Sequence, residues 1–296
     1  MAGDAVNTSP SAWVPFAHLS RAELDRQLSP SRSARDAWGV LARHADATAA
    51  LQTNDRLIVI PDLTYGERPR QRFDLVMPRR PGPHPCLIWF HGGFWQEGSK
   101  ASSGYAASAL VDAGWAVAGI GCTLTPDVRL RDVVEEATAA VLHLRRDAAG
   151  YGLDARRLVI GGHSAGAHLA ATLLTGASGL GVTTAIAGAL LVSGIYDLAP
   201  VAASYVNDRA NIDDDEVRDL SPLRMTPACD MPVHLVIGAD EPDAFLQQTE
   251  ALAIAWRPHL SRLTIERVGG RDHFDVLDLL ADPSSAAFAA LVELAP

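Results

Sequence analysis

Ser164 sits in Gly162-His163-Ser164-Ala165-Gly166, a G-x-S-x-G pattern. A serine hydroxyl becomes a useful nucleophile only with three kinds of help. A base must take its proton, a further group must orient the base, and donors must hold the oxyanion that forms. The glycines suit the geometry such a serine needs. A strand that reverses sharply into a helix holds its central residue in strained backbone, and side chains at the flanking positions would strike the neighbouring strand or helix. The strain lifts the Ser164 hydroxyl clear of the sheet. It also leaves the Ala165 N–H at a helix N-terminus, facing any negative charge that develops beside the serine. The plain alternative is a strand-to-helix turn with a capping serine, so the rest of the chain must decide.

Elbows of this kind take an acid and then a histidine from farther along the chain. Three histidines follow Ser164. His234 lies inside an apolar strand pattern and reads as structural; His259 follows a polar helix end and reads as exposed. His273, in Gly269-Gly270-Arg271-Asp272-His273-Phe274-Asp275, follows the last strand in a glycine-rich loop, where the base belongs. The acid should follow the strand ending at Gly238. Asp240 and Glu241 compete there, and adjacent side chains diverge, so only one can meet His273. Loop register, three past the glycine, favours Glu241. His91-Gly92-Gly93, ending an earlier apolar strand, offers unobstructed N–H groups. The amides of Gly92 and Gly93, with Ala165 and a candidate contribution from Phe94, form the expected oxyanion hole. Phe94 and Trp95 are candidate substrate-binding walls, with core cover as the alternative. His91 reads as a loop organiser and His163 as a packing residue.

The surrounding elements must bring these residues together. Leu158-Val159-Ile160 is an apolar run suited to a buried parallel strand, and small and apolar residues continue at helical spacing after Ala165. Further strands are expected at Leu57–Ile60, Phe73–Met77, Cys86–Phe90, Ala116–Ile120, Ala185–Val192, Val233–Ile237 and Leu263–Val268. The first two should form an antiparallel opening pair. Helices are expected at Ser102–Ala113, Leu130–Ala149, Ala244–Trp256 and Ser285–Leu294. This alternation predicts an α/β fold with a mostly parallel, doubly wound sheet and helices on both faces. Residues 1–55 read as an N-terminal helical cover, with Met1–Pro10 unstructured and Ser31 capping a second helix. Residues 56–296 read as the main domain, with a small lid inserted at about 193–230. The acidic run Asp213–Glu216 reads as a solvated face or helix start rather than a metal site.

A chain of 296 residues with 48% apolar and 20% charged residues has room for one large α/β domain. Its formal net charge of −10 argues against nucleic acid and anionic membranes as partners. Cys86, Cys122 and Cys229 show no zinc-type spacing, and their odd number fits free thiols in a reducing cytoplasm. The N-terminus carries no basic flank or apolar core of a signal peptide, and no apolar run is long enough to span a bilayer.

The chain resembles the α/β-hydrolase superfamily and, within it, the bacterial arylformamidase-like serine hydrolases. The resemblance runs from about Ser29 to Leu280. It rests on His91-Gly92-Gly93-Phe94-Trp95, Gly162–Gly166, Ser193-Gly194-Ile195-Tyr196-Asp197-Leu198 and Asp272-His273-Phe274. The acid loop Gly238-Ala239-Asp240-Glu241, followed by Phe245 and Gln248, and the segment Ser29-Pro30-Ser31-Arg32 add to it. Leu28 stands where tyrosine is expected, and Cys122–Pro126 replaces the Y-R-L-x-P form of related esterases. The resemblance implies Ser164, Glu241 and His273 as catalytic residues and a small aryl N-formyl amide, such as N-formylkynurenine, as substrate, with no metal or organic cofactor. A carboxylesterase or amidase using another small acyl substrate is the alternative, and a non-catalytic binding protein fits less well because every catalytic group is present. A homodimer is expected by analogy with the fold class.

Overall fold

In the computed structural model, which describes Phe16 and residues 18–177 and 182–295, eight strands form one sheet. The expectation for Met1–Pro10 lies outside the described residues. The strands are β1 (Leu57–Thr64), β2 (Arg72–Pro78), β3 (His84–Phe90), β4 (Ala116–Ile120), β5 (Leu153–His163), β6 (Gly188–Val192), β7 (Val233–Gly238) and β8 (Leu263–Val268). Their order is β1-β2-β4-β3-β5-β6-β7-β8. The β1–β2 and β2–β4 pairs are antiparallel and every other pair is parallel.

The apolar strand runs of the sequence are explained by burial on both faces. Cys86, Ile88 and Phe90 of β3 join one core with Val133, Val141, Leu173 and Leu252. Leu87 and Trp89, pointing the other way, join a second core with Leu110, Trp115, Phe288 and Leu291. Successive side chains of one strand therefore serve two layers.

Eleven α-helices accompany the sheet among the described residues. Before it come α1 (Arg21–Gln27), α2 (Pro30–Ser33) and α3 (Ala37–Ala50); then α4 (Ala107–Asp112), α5 (Leu130–Arg146) and α6 (Ala165–Leu174) follow. The segment after β6 carries α7 (Ala199–Ala202), α8 (Asn207–Ala210) and α9 (Asp214–Asp219), and the chain closes with α10 (Asp243–Trp256) and α11 (Ala286–Glu293). Asp36, not Ser31, caps α3, accepting from the Gly39 N–H at 3.0 Å. Ser31 is spent inside α2, a single turn that Pro30 opens. The helix expected from Ser102 begins only at Ala107. Gly104 lies against the cover, where a Cβ would come within 2.7 Å of Thr48 Cγ2. The long helix expected to reach Ala149 ends at Arg146, and a 3₁₀ turn over Ala148–Tyr151 finishes it.

The region expected to be a lid divides in two. Ser193, Tyr196, Asp197 and Leu198 are fully buried, so its first residues are core. The Gln248 side-chain oxygen accepts from the N–H groups of Tyr196 and Asp197, each at 2.7 Å, tying this turn to α10. The acidic run is a helix start: Asp213 caps α9 and, with buried Glu216, pairs with Arg129.

Candidate active site

The parallel register brings five strand ends into one row. Phe90 pairs with Gly162, His163 with Val192 and Gly238 with Val268. The residues that follow β3, β5, β6, β7 and β8 are therefore neighbours at the carboxyl edge of the sheet, where α/β folds place their ligands.

Ser164 follows β5 with φ 55° and ψ −119°, a left-sided backbone that a non-glycine residue holds only when its surroundings enforce it. Those surroundings are tight. A Cβ at Gly162 would lie 2.4 Å from the Gly166 carbonyl, and one at Gly166 would lie 2.0 Å from Phe90 O. The Ser164 N–H donates to Val192 O at 2.9 Å, pinning the elbow to β6. Its hydroxyl makes no capping hydrogen bond, which disposes of the capping-serine alternative.

His273 Nδ1 lies 2.6 Å from Glu241 Oε2, and both side chains are buried. With Glu241 ionised, Nδ1 carries the proton and Nε2 is left to accept one. The other Glu241 oxygen, Oε1, accepts from Ser193 Oγ at 2.5 Å and from the Gly238 N–H at 2.8 Å. Asp240 points away to solvent and meets Arg35 at 3.2 Å. Adjacent carboxylates thus diverge, and Glu241 is the one on the imidazole. Ser193 went unnoticed as a site residue in the sequence, although it lies in the Ser193–Leu198 run. Its signal was position, because it directly follows a central strand that neighbours Ser164.

The strap after β3 runs beside the elbow. A Cβ at Gly92 would come within 3.2 Å of Ser164 Cβ, and Gly93 adopts φ +117°, where any Cβ would lie 2.4 Å from Glu97 O. Both positions therefore exclude side chains for steric reasons. Ala165 opens α6, so its N–H belongs to the first-turn donors without an intrahelical acceptor. Phe94 lines the cavity at Ser164, but Trp95 does not. Of the two expected substrate walls, Phe94 is on the cavity and Trp95 is core cover. Positive φ at both residues (48° and 61°) turns Trp95 inward, where its ring packs against His168 on α6 at 4.8 Å. Thr125 holds the Trp95 carbonyl from the Cys122–Pro126 loop through its N–H at 2.8 Å.

His91, His163 and His234 are structural in contact. His91 Nδ1 donates to Gly92 O at 2.7 Å, and burial lowers its pKa. His163 Nε2 donates to the His273 carbonyl at 2.7 Å. Burial, and then the neighbouring His273, push His163 well below the usual histidine range, so it stays neutral. His234 bonds Thr264 at 2.7 Å inside the sheet, and His259 is exposed. Burial holds the thiols of Cys86 and Cys122 up at about 12, which makes them inert.

Ser164 and His273 open on one cavity of about 350 Å³, a size suited to a small molecule. Trp38, Phe94, Tyr105, Tyr205 and Phe274 give it aromatic walls. Pro30, Ser31, Ala37, Trp38, Leu41 and His44 form its N-terminal side, so α2 and α3 are part of the pocket. Tyr205 is the part of the 193–230 segment that reaches it. Among the described residues no group of three or more His, Cys, Asp or Glu side chains is disposed to hold a metal ion, and no helix is long and apolar enough to cross a membrane.

A doubly wound sheet with a serine elbow, a strap and an acid–histidine pair along its carboxyl edge defines an α/β-hydrolase. A family model, BD-FAE, matches residues 73–184. The chain is 34% identical over 277 residues to kynurenine formamidase of Danio rerio, covering 89% of this chain and 92% of that protein. It is 31% identical, with the same coverage, to kynurenine formamidase of Salmo salar. The crystal structure of a Silicibacter sp. TM1040 protein superposes with a TM-score of 0.79 at 29% identity, over 91% of this chain and 98% of that one. The chain belongs to the kynurenine formamidase family of α/β-hydrolases, and it is a hydrolase of a small substrate.

Proposed function

We propose that this hydrolase cleaves a small aryl N-formyl amide of the N-formylkynurenine type through an acyl-enzyme on Ser164. The observation that carries this reading is the buried His273–Glu241 pair at 2.6 Å opening on the same cavity as the uncapped Ser164 hydroxyl. Kinship to two kynurenine formamidases along most of the chain supports the substrate class.

In this mechanism Ser164 Oγ attacks the formyl carbon while His273 Nε2 takes its proton. Glu241 keeps the imidazole in the Nδ1–H tautomer and stabilises the imidazolium. Ser193 and the Gly238 N–H hold the Glu241 carboxylate in turn. The N–H groups of Gly92, Gly93 and Ala165 receive the oxyanion. His273 then returns the proton to the leaving aryl amine, and water, deprotonated by the same imidazole, releases formate. The aromatic walls suit an aryl leaving group.

A carboxylesterase reading draws on Leu28, which is wholly buried and brings no hydroxyl where tyrosine was expected. The ratio of kcat/KM for N-formylkynurenine to that for p-nitrophenyl acetate, with Ser164→Ala as the blank, separates the two. A strong formamide preference is expected. A flat or reversed ratio that Ser164→Ala abolishes would leave the esterase.

A further inference from the structure

Arg35, in the link between α2 and α3, touches the residue immediately before the acid and the residue immediately before the base. Its guanidinium meets Asp240 at 3.2 Å, next to Glu241. The same group donates to Gly270 O at 2.5 Å and to Asp275 at 2.6 Å, on either side of His273. Its backbone N–H donates to Asp272 Oδ2 at 2.9 Å, next to His273. Asp272 is buried, and its other oxygen accepts from the N–H groups of Phe274 and Asp275. One carboxylate therefore shapes the turn that carries His273 and binds the N-terminal cover at once.

The acid and base loops are already stitched by backbone, since Asp240 N–H donates to Arg271 O at 3.0 Å. What this stitch lacks is a reference point outside the two loops. Arg35 supplies it from the cover, whose neighbouring residues Ser31, Ala37 and Trp38 also wall the cavity. Without its cation, Asp240, Asp272 and Asp275 would face one another with less charge compensation beside the imidazole.

We propose that Arg35 is a positioning residue for the hydrolytic reaction. It sets the acid loop and the base loop against the N-terminal cover, so that an aligned His273–Glu241 pair depends on the cover being docked. The inference rests on the proposed role of Ser164, Glu241 and His273. A displacement of about 1 Å in a reacting group is enough to cost on the order of 100-fold in rate. Half-exposed ion pairs contribute little to global stability. Rate and stability should therefore separate.

The experiment compares full-length wild type with Arg35→Ala, Arg35→Lys and, as an exposed-arginine control, Arg56→Gln. The readouts are p-nitrophenyl acetate hydrolysis, the rate at which a fluorophosphonate labels Ser164, and Tm. Arg35→Ala should lose about tenfold or more in kcat and in labelling rate, with KM for the small acetate little changed. Its Tm should stay within about 2 °C of wild type. Arg35→Lys should recover part of the rate, and millimolar guanidinium should partly rescue Arg35→Ala but not His273→Ala. A wild-type labelling rate in Arg35→Ala would overturn the inference alone, as would a rate loss that follows a fall in Tm and resists rescue. Failure of the wild type to label at Ser164 would overturn the triad reading, and this inference with it.

Discussion

The two flanks of Ser164 are built by different means. On one side, His273 and Glu241 are held by side-chain hydrogen bonds and charge, with Ser193, Asp272 and Arg35 around them. On the other, the strap from His91 to Gly98 is shaped by backbone conformation and tied through its own carbonyls, with Trp95 O accepting from the Thr125 N–H and Gly98 O from Arg70. Gly93, Phe94, Trp95 and Gly98 all have positive φ, and the fit of Trp95 against His168 anchors them to α6. The chemistry proposed for each flank explains the difference. A group that must gain and lose a proton needs polar partners that fix its tautomer and orientation. Donors that only have to point at a developing charge need fixed backbone and no reorganisation.

The contrast can be broken at its hinge first. Ser164→Ala and His273→Ala should each reduce kcat by several orders of magnitude, and the double variant should lose little more. Losses that multiply would show that the two residues do not act as a unit. On the polar flank, Glu241→Gln should cost roughly 100-fold or more in kcat, and Asp240→Asn only a few-fold. The reverse order, measured with any turned-over substrate, would move the acid to Asp240.

On the conformational flank, Gly93→Ala places a Cβ 2.4 Å from Glu97 O at φ +117°. It should cost about 100-fold in kcat, as loss of an oxyanion donor does, with a smaller change in KM. Ser193→Ala removes one of three donors to Glu241 and leaves the carboxylate in place. A loss of about tenfold is expected in a kcat comparison. If Ser193→Ala were as damaging as Glu241→Gln, the acid would depend on a single contact rather than a network.

The last effect concerns acid and the strap, and it is read in stability and leaves the chemistry untouched. Burial holds His168 at about 4, with Nε2 donating to Leu220 O at 2.8 Å. The unfolded chain binds this proton near pH 6.5 and the folded chain does not, so stability is full above 6.5 and falls as pH drops toward 4. His168→Gln should flatten this part of a Tm-against-pH curve, whatever its stability at neutral pH. An unchanged slope would assign the acid sensitivity elsewhere, with His163 as the next candidate.

Much of the site was legible because strand ends in a parallel sheet are written locally. An apolar run followed by glycine and a polar residue marks each one, as at Phe90-His91-Gly92, Gly162-His163-Ser164 and Gly238-Ala239-Asp240-Glu241. Ser193 escaped although Val192-Ser193-Gly194 shows the same pattern, because what it holds is Glu241, 48 positions later. Trp95 was unresolved because its direction depends on φ of 61°, which an aromatic residue does not announce.

By itself the sequence determined the α/β alternation, the elbow, the histidine and the short choice of acids. These follow from periodicity and from steric demands that a few adjacent residues express. Only the tertiary structure put Glu241 and not Asp240 on the His273 imidazole, turned Phe94 toward the cavity and Trp95 away from it, and brought Arg35 across more than 200 positions to the loops around His273. Those outcomes depend on the registration of separate strands and of the cover against them, and no single stretch of chain encodes that registration.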